Sequence, residues 1–117
     1  MNWYLAKIIY QIISGDGNHV PQFDEQFRII RADELDWAWE KAQVVGRRGE
    51  SIFKNDKAED VHWKFIAVED VSQINELEDG SQIYSRTEEP ENMDEYIQLT
   101  KTRAKRLYAN RDNKVFA

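Results

Sequence analysis

The sequence predicts an α+β fold: a four-stranded antiparallel sheet in the order β-β-α-β-β-α, with the first helix packed on one face and an amphipathic helix at the C-terminus. Residues 61–86 hold the densest β signal, because apolar and polar side chains alternate along two segments around an Asp79-Gly80 turn. A second alternating pair, residues 3–13 and 22–31, precedes them. Apolar residues recur at helical spacing after each pair, which predicts the two helices.

The length of 117 residues allows one domain, in which residues 1–90 form the sheet and residues 91–117 the C-terminal helix and tail of the same compact unit. Cysteine is absent, which excludes disulfides and fits a cytoplasmic location. We find neither a basic leader before an apolar run nor an apolar stretch of the roughly 20 residues that a spanning helix needs. The net charge of −6 argues against nucleic acid, whose phosphates call for clustered cations. We therefore expect no nucleic-acid partner and no membrane partner.

The first predicted hairpin has one fully apolar face. Along residues 3–13 this face consists of Tyr4, Ala6, Ile8, Tyr10 and Ile12. A polar turn rich in Gly, Asp and Asn follows at residues 14–19. The next strand, residues 22–31, has Phe23 and Phe27 on one side and Arg28 on the other. We expect the two phenylalanines to face the first helix together with the apolar face of residues 3–13.

The first helix is predicted to begin at Asp33, a good N-cap residue, and to end at Gly46 or Gly49 in a left-handed C-cap conformation. Its predicted core stripe comprises Leu35, Ala38, Trp39, Ala42 and Val45. Trp37 and Val44 lie on the reverse side of this helix. Two interpretations stay open for them: another surface covers them, or they are scattered exposed apolar side chains of the ordinary kind.

A polar connection, residues 50–60, leads to the central hairpin, and its Ile52-Phe53 pair is a candidate to pack back onto the core. Strict alternation in the first strand of the hairpin assigns one face to Val61, Trp63, Phe65, Ala67 and Val71, and the other to His62, Lys64, Ile66 and Val68. The second strand is predicted at residues 81–87, before Pro90. Residues 92–108 then form the C-terminal helix, with acidic residues at its start and basic residues at its end.

Three stretches of this pattern resemble a bacterial family of domains of unknown function, family 4288. They are the opening Trp3-Tyr4-x-Ala6-Lys7, the strand Trp63-Lys64-Phe65, and the segment Glu78–Arg86 with its Asp-Gly-Ser-x-x-Tyr-Ser-Arg run. The resemblance covers about residues 3–88 and leaves the C-terminal helix outside. It implies the fold and brings no activity with it.

Catalytic and metal-binding patterns do not stand out. The two histidines, His19 and His62, lack the spacing of a zinc site. Asp16, Asn18 and Asp24 faintly resemble a calcium loop, whose bidentate glutamate is missing. We find no nucleophile elbow, phosphate loop or dinucleotide fingerprint. We therefore predict no catalytic residue, no metal and no cofactor, and expect that the protein is not an enzyme.

The sheet face turned away from the first helix is the predicted binding surface. Its candidate ligand-binding residues are Lys7, Arg28, His62, Lys64, Tyr84 and Arg86. A half-apolar, half-cationic face is unusual to leave bare on an acidic protein. Three interpretations stay open for what covers this face: the C-terminal helix, a second copy of the chain, or an acidic partner or anionic ligand.

Two classes of function are compatible with this surface. The first is a small acidic cytoplasmic protein that acts as a non-catalytic protein-interaction module, with an immunity- or inhibitor-like protein as one form of it. The alternative is a small anionic-ligand-binding domain or minor enzyme that uses the cationic sheet face. The apolar stripe of the C-terminal helix needs a partner to be stable in water, so we also expect a homodimer.

Overall fold

The computed structural model describes residues 1–113 and contains one four-stranded sheet and two α-helices. In chain order the elements are β1 (Asn2–Ser14), β2 (Gln22–Ala32), α1 (Leu35–Arg48), β3 (Ser51–Lys54), β4 (Asp60–Ile74) and α2 (Met93–Ala109), followed by a short 3-10 turn at Arg111–Asn113. The strands lie in the order β2-β1-β4-β3, and all neighbours are antiparallel. The predicted fold class and element order are confirmed. Residues 114–117 of the predicted tail lie outside the described residues.

The chain divides into two compact units. The first, Met1–Ser85, contains the whole sheet and α1, and the second begins at Arg86 and contains α2. The predicted boundary lies at residue 90. That the helix and the sheet form the same compact unit stays a prediction.

The fourth strand of the sheet is not the predicted one. Residues 81–87 form no strand; β3 pairs with β4 instead, with Ile52 opposite His62. The turn between β3 and β4 is stabilised by Asn55, whose side-chain oxygen accepts hydrogen bonds from the backbone N–H groups of Lys57 and Glu59 at 2.9 and 3.1 Å. Gly80 does adopt the expected positive φ of 85°, but the strand predicted after it is absent. The partner strand of β4 in this hairpin therefore precedes β4 in the chain, whereas the sequence predicted a partner that follows it.

Two bulges in β4 change which of its side chains face α1. Along β1, Lys7 pairs with Asp70 and Ile8 with Val68, so one β4 residue is left unpaired between them. A second extra residue lies between the partners of Ile9 and Tyr10. Each extra residue reverses the alternation of faces. Phe65, Val68 and Val71 consequently share the α1 side of the sheet, whereas strict alternation wrongly placed Val68 opposite and Ala67 on the core side.

The sheet face that α1 covers, here called the helix face, carries Tyr4, Ala6, Ile8 and Tyr10 of β1, and all four are buried. The opposite face, called the second face, carries the intervening residues of β1, among them Trp3, Leu5 and Lys7. α1 packs on β1, β2 and β4 and is buried there through Ala38, Ala42 and Gly46. These small residues recur every four positions, which lets the helix approach the sheet closely.

Two members of the predicted helix stripe are exposed. Leu35 retains 51% and Trp39 47% of its accessible surface, so their assignment to the core is wrong. Both residues flank the stripe of small residues at Ala38 and Ala42 rather than forming its centre. The prediction weighted large apolar side chains above alanine and glycine, whereas the close approach of the helix depends on the small ones.

The ends of α1 also differ from the prediction. The N-cap residue is Glu34 rather than Asp33, and its side chain makes no capping hydrogen bond. Gly49 is the C-cap, but with φ −78° it is right-handed, so the left-handed cap is wrong. A Cβ atom at Gly46 would collide with the Phe65 ring, and one at Gly49 with the Tyr10 hydroxyl. Both glycines are therefore required for close packing.

The predicted C-terminal helix forms as α2. Asn92 is its N-cap, and the side-chain oxygen of Asn92 accepts a hydrogen bond from the backbone N–H of Glu95 at 2.9 Å. None of the residues of α2 is buried. In the part of the chain that the structure describes, neither helix combines the length and the apolar character needed to cross a membrane.

Candidate functional site

The structure distributes the six predicted ligand-binding residues over different surfaces. Lys7, His62 and Lys64 do share the second face, because they pair across β1 and β4 with residues of that face. Tyr84 joins them, since its ring packs against Phe27 of the second face at a centroid distance of 5.3 Å. Arg28 lies on the other face, and Arg86 belongs to the second compact unit.

Lys7 is only 6% exposed, and its charge is compensated. Its Nζ atom lies 3.1 Å from a carboxylate oxygen of Glu25 and 3.2 Å from one of Glu69. Hydrogen bonds to these two carboxylates raise the pKa of Lys7 above its ordinary value, so its ammonium group stays charged. Two carboxylates around one ammonium group give this part of the second face a negative balance.

Arg28 is on the helix face because it pairs with Ala6 of β1. The expectation that it shares a face with Lys7 is therefore wrong. The same register places Phe23 and Phe27 on the second face, opposite to their predicted orientation. The Arg28 guanidinium donates two hydrogen bonds to Oε1 of Gln26, at 3.1 and 2.8 Å.

Acidic residues also accompany His62 and Arg86. His62 Nε2 lies 3.7 Å from Oε1 of Glu50, which accepts a hydrogen bond from the backbone N–H of Phe65 at 2.9 Å. The guanidinium of Arg86 lies 3.5 Å from the carboxylate of Glu88. The five predicted residues of the first unit do not converge on one cationic pocket, because Arg28 lies on the opposite face. The role of the six residues in binding an anion stays a prediction.

The polar turn between β1 and β2 contains the residues that faintly resembled a calcium loop. The Asp16 carboxylate accepts a hydrogen bond from the backbone N–H of Asn18 at 2.9 Å. Nε2 of His19 accepts one from the backbone N–H of Ser14 at 3.0 Å, which leaves the ring proton on Nδ1, 2.8 Å from the carbonyl oxygen of Val20. Within residues 1–113, no three His, Asp or Glu side chains gather closely enough to hold a metal ion.

The outward side of α1 presents an exposed tryptophan next to a groove. Trp37 retains 63% and Val44 43% of its accessible surface. A groove of about 430 Å³ lies beside them, where α1 passes the end of β2. Its lining includes Arg31, Asp33, Trp37, Glu40, Lys41 and Val44. The sequence signal for this surface was the pair Trp37 and Val44 on the reverse side of the helix stripe, and the structure leaves this pair uncovered.

A second apolar surface lies along β2 and was missed from the sequence. Phe23, Phe27 and Ile29 point to the second face and retain 57%, 50% and 60% of their accessible surface. Their alternation with Asp24 and Arg28 is that of a core strand, so the pattern alone predicted burial. α1 covers the opposite face of β2, where Ile30 and Ala32 are buried.

A family model described as domain of unknown function (DUF4288) matches residues 3–85 of this chain. The chain belongs to this family. The match ends where the first compact unit ends, so the family covers the sheet and α1 and excludes α2. The description of the family names no activity. Neither the curated proteins nor the solved structures gave a match to the chain.

Proposed function

We propose that this member of the family is a non-catalytic protein-interaction module of the cytoplasm that binds a basic, apolar segment of a partner protein at the groove beside Trp37. The observation that carries the proposal is the exposure of the Trp37 indole on the outward side of α1. Tryptophan is costly to leave in water, and it is enriched among the residues that supply most of the binding energy of protein interfaces. A groove of about 430 Å³ next to it can receive one or two side chains of a partner.

The charges around Trp37 favour a basic partner. Asp33, Glu34, Asp36 and Glu40 carry carboxylates along the first half of α1 and the residues before it. Among residues 1–113 none of these four forms an ion pair. Two basic residues also line the groove. The ammonium group of Lys41 donates a hydrogen bond to the carbonyl oxygen of Arg31 at 3.1 Å, and the guanidinium of Arg31 lies 5.4 Å from the centre of the Trp3 ring.

An arginine of the partner has two favourable contacts at this surface. Its guanidinium can stack on the indole of Trp37 and pair with a neighbouring carboxylate. The net charge of −6 adds a long-range attraction that raises the association rate with a basic protein. An inhibitor- or immunity-like protein that masks a basic surface has these properties. The absence of cysteine supports the cytoplasmic assignment.

Selection from a library of displayed random peptides tests this proposal and does not require the partner to be identified first. We expect the wild-type chain to enrich peptides in which an apolar residue is flanked by arginine or lysine. Trp37→Ala should lose this enrichment. Trp39→Ala is the matched control, because Trp39 is a second half-exposed tryptophan of the same helix, and should retain it. Enrichment of acidic peptides, or equal enrichment by the wild type and Trp37→Ala, would contradict the proposal.

A further inference from the structure

The free edge of β2 is long and regular, and it carries four charged residues: Asp24, Glu25, Arg28 and Arg31. β2 is the terminal strand of the sheet and pairs with β1 over eleven consecutive residues without a bulge. It contains neither proline nor lysine, two residues that commonly protect sheet edges from further pairing. The opposite edge differs, since β3 has four residues and ends in Lys54, which pairs with Asp60 at 2.9 Å.

We propose that β2 pairs antiparallel with β2 of a second copy of this chain to form a continuous eight-stranded sheet. The two-fold axis passes between the two copies of Gln26, which lie opposite each other. This inference concerns a different surface from the groove beside Trp37 and does not depend on it. A two-fold interface requires a strand that is complementary to itself when reversed. The sequence of β2 meets this requirement in one register.

Directly opposed residues in an antiparallel pair point to the same face of the sheet. A two-fold symmetric pair must therefore place one residue opposite its own copy, and this residue defines the position of the axis along the strand. With the axis at Gln26, Asp24 of each copy lies opposite Arg28 of the other. Phe23 of each copy lies opposite Ile29 of the other. The register thus joins two ion pairs on the helix face and two apolar pairs on the second face, where Glu25 of each copy also lies opposite Phe27 of the other.

The neighbouring registers lack this complementarity. An axis at Glu25 places the two Glu25 carboxylates opposite each other, and an axis at Arg28 does the same with the two guanidinium groups. Like charges directly opposite each other destabilise a strand pair. An axis at Phe27 joins no opposite charges, and it places Phe23 opposite Arg31 and Glu25 opposite Ile29.

Within one copy, hydrogen bonds already connect the polar residues of β2 that would face the second copy: Asp24, Gln26 and Arg28. The Gln26 side chain donates to the Asp24 carboxylate at 2.7 Å and accepts from the Arg28 guanidinium at 2.8 Å. Gln26 therefore holds the two charged groups at fixed spacing on either side of the proposed axis. On the second face, pairing covers the exposed side chains of Phe23 and Ile29.

Charge reversal combined with mass measurement tests the register. By light scattering at micromolar concentration, the full-length wild type should have twice the 13.9 kDa mass of one chain. Asp24→Arg and Arg28→Asp should each be monomeric, because each opposes like charges twice. A mixture of the two single variants should recover the doubled mass, since a mixed dimer restores both ion pairs. Lys54→Asp on the β3 edge is the matched control and should leave the mass doubled.

Disulfide crosslinking is a second test, made clean by the absence of cysteine from the chain. Two copies of Gln26→Cys should crosslink under mild oxidation, because directly opposed residues have Cα atoms about 4.5–5.5 Å apart, within disulfide reach. Two copies of Phe23→Cys should not crosslink. In this register position 23 of one copy lies opposite position 29 of the other, so the two cysteines are six residues, or about 20 Å, apart along the strands. Circular dichroism identifies any variant that has not folded.

A monomeric wild type at every concentration would overturn the proposal. So would a doubled mass that survives both charge reversals, or a Phe23→Cys variant that crosslinks as fast as Gln26→Cys.

Discussion

The hydroxyl group of Tyr10 donates a buried hydrogen bond of 2.6 Å to the carbonyl oxygen of Gly46 in α1. This bond joins β1, one of the two central strands of the sheet, to the last turn of the helix. The Tyr10 ring also contacts the rings of Trp63 and Phe65, at centroid distances of 6.3 and 6.0 Å. Tyr10 therefore anchors the helix whose outward side carries Trp37.

The contribution of this hydrogen bond is measurable by removal of the hydroxyl. We expect Tyr10→Phe to lower the free energy of unfolding by about 0.5–1.5 kcal/mol, the usual net value of one buried hydrogen bond, with the ring contacts kept. Urea unfolding followed by tryptophan fluorescence gives the value. An unchanged urea midpoint would show that the bond contributes nothing.

Substitution of Gly46 by alanine should destabilise the protein, although alanine favours helices more than glycine does. The added Cβ atom would collide with the Phe65 ring, so the overpacking cost of about 1–3 kcal/mol should exceed the gain of about 1 kcal/mol in helix propensity. Glu40→Ala in the same helix is exposed and should stay within about 0.5 kcal/mol of the wild type. Thermal unfolding of the two variants compares them directly, and a Gly46→Ala variant more stable than the wild type would refute the packing argument.

The core lies at Ile8 and not at Trp39. Ile8 is fully buried, so Ile8→Ala should lower the free energy of unfolding by about 2–5 kcal/mol. Trp39 is 47% exposed, so Trp39→Ala should cost clearly less in spite of the larger deletion. Equilibrium denaturation of both variants decides the order, and the reverse order would contradict the placement of α1.

Stability should fall in alkaline solution, and two groups contribute. Burial raises the pKa of Tyr10, and the ion pairs with Glu25 and Glu69 raise the pKa of Lys7. The unfolded-state pKa is about 10 for tyrosine and about 10.4 for lysine. When the folded-state pKa is higher than this value, the group stabilises the folded protein fully at pH values below the unfolded-state pKa, and this stabilisation is lost as the pH rises through the folded-state pKa. Unfolding free energies measured between about pH 9 and 11.5 should therefore decline.

Variants assign this decline to its source. Tyr10→Phe and Lys7→Met should each make the dependence on pH less steep, because each removes one titrating group. A slope in Tyr10→Phe that equals the wild-type slope would exclude the tyrosine as a contributor.

The parts of the fold that follow from local pattern were predictable from sequence. The alternation of Tyr4, Ala6, Ile8 and Tyr10 indicated the correct buried face of β1, and helical spacing located both helices. The bulges of β4 were not predictable, because each depends on a single extra residue inside a continuous β pattern. β3 was missed as well, since four residues with only Ile52 and Phe53 apolar give too weak a signal.

The candidate site depended still more on contacts between distant residues. Lys7 looked like a free cation because Glu25 lies on the next strand and Glu69 is the unpaired residue of a bulge. Only the register brings the two carboxylates to Lys7. Phe23 and Phe27 were assigned to the core because they are large apolar residues in an alternating strand, and only the register with β1 places them on the second face. Trp37 was identified correctly as lying on the reverse side of its helix, since that position depends only on helical geometry.

The most direct test of a binding role for α1 is an NMR titration of ¹⁵N-labelled protein with a basic, apolar peptide obtained by selection. The four tryptophans give separate indole N–H signals that report on different surfaces. We predict that the Trp37 indole signal shifts most, and that Trp37→Ala weakens binding by about 10- to 30-fold, equivalent to about 1.4–2 kcal/mol. A titration in which the peptide binds while the Trp37 signal stays in place would contradict this account.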